Sequence, residues 1–69
     1  MREQLENLIE EMVDRGILYE AAQREFERRF IAKALVRSEG NLSRAATLLG
    51  MHRNTLRRKI TAYRLKRTG

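Results

Sequence analysis

Leu5, Leu8, Ile9, Met12 and Val13 recur at i, i+3, i+4, i+7 and i+8, the apolar stripe of an amphipathic helix, while Glu6, Glu10, Glu11 and Asp14 fill the opposite side. The spacing predicts a first helix over about residues 2–15, closed by Gly16. So short a connector favours an antiparallel hairpin with the next element. Leu18, Ala22, Phe26, Phe30 and Ala34 then repeat every four residues, joined by Ile31, Leu35 and Val36, which predicts a second helix over 18–38. A four-residue step overshoots the helical turn by about 40°, so this row swings through about 160° along the helix. Its early part is expected to bury one side against the first helix or a second chain, and its later part another side against the C-terminal half. No preferred N-cap stands between Gly16 and Tyr19.

Ser38, Glu39, Gly40 and Asn41 form the next break, with Gly40 a natural terminator and Asn41 or Ser43 a natural N-cap. Leu42, Ala45, Ala46 and Leu49 predict a third helix over 42–49. Gly50 ends it after two turns, and Met51 is placed to plug the corner. In a fourth helix, about 53–66, Leu56, Ile60 and Tyr63 form the inner face, whereas Arg53, Asn54, Arg57, Arg58 and Thr61 share the outer one. No segment alternates with period two. The fold class is therefore all-α with four helices: residues 1–38 form a helical scaffold and dimerisation segment, and 39–69 a helix-turn-helix. The last few residues, through Thr68 and Gly69, read as a tail.

Length and charge sharpen this picture. A chain of 69 residues without cysteine supports one small domain with a thin core, and self-association is the remedy left to it. The dimerisation surface is expected on Leu5, Leu8, Ile9, Met12, Leu18, Ala22, Phe26 and Phe30. Residues 1–39 hold seven arginines and lysines against all nine acids, a net of −2, whereas residues 40–69 hold eight and no acid, a net of +8. This is a near-neutral scaffold joined to a polyanion-binding half. One histidine and no cysteine give no metal-site spacing, and no cofactor motif is present. An enzyme reading fails on inventory, since Glu10 with Glu11, or Glu25 with Glu27, lie on outer helix faces and cannot converge on a substrate. With neither a membrane span nor a signal peptide, the expected location is the cytoplasm.

Two short helices joined by a glycine turn, the second with a basic, amide-bearing outer face, describe a helix-turn-helix. In the major groove arginine bonds guanine, asparagine bonds adenine, and a threonine methyl touches thymine. Arg53, Asn54, Thr55 and Arg57 bring those groups within the first turns of the fourth helix, and cations further along, such as Lys59, would meet phosphates. For Asn54 and Thr55 the alternative is local backbone bonding in a first turn. His52 can cap the helix or meet a phosphate, and Arg44 can meet a phosphate or the end of the second helix.

The segments Gly40-Asn41-Leu42-Ser43-Arg44-Ala45-Ala46, Leu48-Leu49-Gly50-Met51 and Asn54-Thr55-Leu56-Arg57-Arg58-Lys59-Ile60, with Tyr63, resemble the helix-turn-helix of the Fis family. That family spans a nucleoid protein and the C-terminal domains of NtrC-type activators. The resemblance covers about 25–30 residues. It implies a homodimer with an intertwined helical core, whose paired recognition helices enter successive major grooves of bent double-stranded DNA. Carried over by position, the family's phosphate and base contacts fall on Asn41, Ser43, Arg44, His52, Arg53, Thr55, Arg57 and Arg58. His52 and Asn54 depart from the family's usual residues, which bears on base preference. The first 35 residues match far less well, so invertase activation is not carried over.

The sequence thus predicts a sequence-preferring DNA-binding homodimer acting in transcription regulation or DNA bending. Either a short complete protein or the C-terminal piece of a regulator with further domains would fit. The competing reading is a helical module whose basic half docks on an acidic protein or an anionic membrane.

Overall fold

The computed structural model describes residues 1–66, so the tail expected at Thr68 and Gly69 lies outside the described residues. Four helices follow in order: α1 (Arg2–Asp14), α2 (Tyr19–Arg37), α3 (Leu42–Leu49) and α4 (Arg53–Tyr63). No strand occurs among the described residues.

All four helices close in one way, and that closure sets their lengths. After α1, Gly16 N–H donates to Val13 O and Ile17 N–H reaches back to Met12 O; after α3, Gly50 N–H donates to Thr47 O and Met51 N–H to Ala46 O. These are Schellman closures, in which one left-handed residue turns the chain back onto the helix. Gly16 (φ 75°) and Gly50 (φ 68°) adopt that conformation without the clash a Cβ brings. After α2 the left-handed residue is Glu39 (φ 55°), one position before the expected Gly40, which is itself at φ 77°. After α4 it is Arg64 (φ 55°). α4 accordingly stops at Tyr63 rather than running to 66: Leu65 N–H bonds Ile60 O, and the Leu65 side chain folds back against the core.

The helix starts follow the sequence as well. Asn41 caps α3, its side chain accepting from the Arg44 N–H at 3.0 Å. α2 begins at Tyr19 after the N-cap Leu18, which makes no side-chain cap, in keeping with the missing cap residue.

Ile31, Ala34 and Leu35 of α2, Leu42, Ala45 and Ala46 of α3, and Leu56 and Ile60 of α4 form the single buried cluster, rimmed by Leu49, Met51 and Leu65. The small side chains at Ala45 and Ala46 let α3 lie close against its neighbours. The later half of α2 thus packs on the C-terminal half, as its drifting apolar row anticipated. Val36, read as part of that row, is exposed.

α1 contributes no buried residue. It runs antiparallel to α2: Leu8 and Met12 share a groove with Ala22, Phe26 and Phe30, while Met1 lies by Phe30, Ala34 and Arg37. Leu5, Leu8, Ile9, Val13 and Leu18 remain exposed, and Phe26 and Phe30, with ring centroids 5.3 Å apart, are 60% and 54% exposed. Single copies of this chain leave most of their apolar bulk outside the core.

Candidate nucleic-acid interface

Gly50 turns α3 into α4 through only Gly50, Met51 and His52. Because Leu56 and Ile60 are buried, Arg53, Asn54, Arg57, Arg58 and Thr61 are turned outward together, and all five are exposed. Thr55 is half-buried at the edge of this face. Thr61 has already spent its hydroxyl proton on the Arg57 carbonyl, at 3.1 Å.

Among the described residues, Arg44, Arg53, Arg57 and Arg58 take part in no ion pair. Two arginines of α2 differ, since Arg28 and Arg29 both bond Glu25, each at 2.7 Å. Those two guanidiniums hold the Glu25 carboxyl below its ordinary range. The arginines of α3 and α4 thus carry charge that no described side chain neutralises.

His52 caps α4: its Nδ1 accepts from the Asn54 N–H at 3.1 Å. An accepting Nδ1 places the proton of the neutral ring on Nε2, the nitrogen free to donate outward. Asn41 likewise uses only its Oδ1 in capping α3, which leaves its amide protons. For both residues capping and an outward contact are compatible, because different atoms serve each. Asn54, by contrast, bonds locally through its backbone N–H, so its side chain stays available.

Arg37, assigned by its position to the scaffold, lines one groove with Ser38, Ser43, Arg44, Thr47 and Leu48. The end of α2 therefore adds a second cation beside the start of α3, where unsatisfied N–H groups favour an anion. The four-residue spacing from Lys33 to Arg37 was the available signal, but nothing in it showed that α3 would lie alongside.

Two residues sit differently from the sequence reading. Lys59 does not stand free: its Nζ is paired with Glu27 Oε1. Tyr63 is half-buried rather than core, and its hydroxyl donates to Glu27 Oε2 at 2.7 Å. Lys59 and Tyr63 together hold the Glu27 carboxyl below its ordinary range, and Glu27 in turn raises that of the Tyr63 phenol. Glu27 thus faces α4 instead of the outer side of α2. It lies one turn before the fully buried Ile31, and that shared row was its signature.

No group of three or more potential metal ligands gathers among the described residues, and no described helix is long and apolar enough to cross a membrane.

Comparison with known proteins agrees with this geometry. Residues 22–63, more than half of the chain, match the family described as bacterial regulatory protein, Fis family. A Fis-like DNA-binding protein of Xylella fastidiosa is 48% identical over 52 residues, covering 75% of this chain and 58% of that protein. The DNA-binding protein Fis of Glaesserella parasuis is 41% identical over 46 residues, covering 67% and 47%. The DNA-binding transcriptional regulator NtrC of Azospirillum brasilense is 51% identical over 43 residues, covering 62% of this chain but 9% of that protein. The chain thus spans about half the length of its Fis and Fis-like relatives. No solved structure matches it. The drifting scaffold helix, the glycine turn and the outward arginines are those of a chain that belongs to the Fis family of bacterial regulatory proteins.

Proposed function

We propose that this chain binds double-stranded DNA as a homodimer, with α4 in the major groove. The observation that carries the reading is the outer face of α4, where Arg53, Arg57 and Arg58 are exposed and unpaired on a helix whose inner face is locked into the core. Arg53, Asn54, Thr55 and Arg57 reach base edges from the first turns. Asn41, Ser43, Arg44, His52 and Arg58, with Arg37 beside them, meet phosphates and fix the register. The exposed faces of α1 and early α2, including Phe26 and Phe30, are covered by the second copy. Two recognition helices about one DNA turn apart would then enter successive grooves, with bending and transcription regulation in bacterial cytoplasm as the consequence.

Docking of α4 on a membrane is disfavoured because an interfacial helix needs a free apolar face, and Leu56 and Ile60 are already buried. A mobility shift on a random duplex pool at 50 and 200 mM salt tests the proposal. With about six phosphates neutralised, affinity should fall about a thousandfold between the two conditions. A salt-independent affinity, or none for any duplex, rejects it.

A further inference from the structure

Glu27 is the point at which the scaffold grips α4. Its two oxygens are held by different α4 residues: Lys59 on Oε1 and the Tyr63 hydroxyl on Oε2. Among the described residues these are the only side-chain hydrogen bonds or ion pairs joining two helices; the others stay within a helix or its cap. The apolar contacts of Leu56 and Ile60 press α4 onto the core but are non-directional. Two bonds one turn apart, about 6 Å along the axis, are directional and resist rolling. Roll matters at the outer face. Turning α4 by about 20° moves a group about 5–6 Å from its axis by about 2 Å, which no base-edge hydrogen bond survives.

We propose that Glu27 is a positioning residue that sets sequence discrimination: through Lys59 and Tyr63 it fixes the roll at which α4 presents Arg53, Asn54 and Arg57. The role rests on the DNA-binding reading above. Lys59 is then a strut whose charge is spent inside the protein, and it neutralises no phosphate. Charge alone argues the reverse, because removing an acid from a DNA-binding protein should tighten every complex.

The test measures the full chain against the tightest duplex from a random pool and against poly(dI-dC). Glu27→Ala should lower the ratio of the two affinities about three- to tenfold. Its affinity for poly(dI-dC) should be unchanged or higher. Glu27→Gln, which keeps an acceptor, should lose less, and Tyr63→Phe should shift the ratio in the same direction. These two milder variants carry the test if Glu27→Ala fails to fold. Lys59→Met should leave the salt slope unchanged, and in the Glu27→Ala background it should cost no further discrimination.

An unchanged ratio in Glu27→Ala overturns the proposal, as does a salt slope shallower by about 0.9 in Lys59→Met, the mark of a lost phosphate contact. Hydrogen exchange of the α4 amides without DNA reads the grip by itself, and exchange unaltered by Glu27→Ala or Tyr63→Phe removes it. A wild-type chain that binds neither duplex overturns the DNA reading instead, whatever the exchange shows.

Discussion

Replacing Phe26 with alanine tests whether a second copy of this chain covers the exposed faces of α1 and early α2. Phe26 is 60% exposed, and its ring leans on Phe30, itself 54% exposed, in the groove between α1 and α2. A fully covered aromatic side chain buries about 150–250 Å², so a partner covering the exposed share would remove about 90–150 Å² per copy. At about 25 cal/mol per Å² this is about 2–4 kcal/mol, entering twice in a two-fold dimer. Ordering of side chains on association and the area that alanine itself still covers lower it, which leaves on the order of 3 kcal/mol, or about a hundredfold in dimer Kd. Sedimentation equilibrium over a micromolar series reads that constant directly. Thermal melts at two protein concentrations should show a wild-type midpoint that rises with concentration. A dimer constant within threefold of wild type in Phe26→Ala refutes the reasoning, and so does a wild-type chain that sediments as a monomer throughout.

Three further outcomes are expected. Leu56, at 0% exposure, anchors α4 in the core, so Leu56→Ala should cost about 2–5 kcal/mol, enough to unfold much of so small a domain at any concentration; denaturant titration checks it. Glu39 holds a left-handed φ of 55° with a Cβ, so Glu39→Gly should stabilise by about 0.5–1 kcal/mol, the strain relieved less the entropy glycine adds to the unfolded chain; a melt at fixed concentration would show a lower midpoint if the strain were absent. The Glu27 carboxyl is held below its ordinary value of 4.5 by Lys59 and Tyr63, with Arg24 also near the phenol. Its contribution to stability is therefore fully present above that value and lost as the pH falls through the lowered one. Wild type should lose more stability than Glu27→Gln on acidification below about pH 4.5, and parallel pH profiles would show that the pairing contributes nothing.

Sequence periodicity determined the helices to within a residue or two, with α4 the exception, because i, i+3, i+4 spacing is local and survives any tertiary arrangement. It also located the charge: an acid-free half beginning at Gly40 needs no coordinates to be seen. The cap at Asn41 and the turn at Gly50 were legible for the same reason, since each is a property of a few adjacent residues. The tertiary structure decided which side of α2 faces α4. That placed Glu27 against Lys59 and Tyr63, more than thirty residues away, and brought Arg37 beside Arg44. It also decided that α4 stops at Tyr63, where the Leu65 N–H turns back to Ile60 O and the Leu65 side chain packs against the core. A pattern along one helix says which residues share a face; only the packing of several helices says what that face meets.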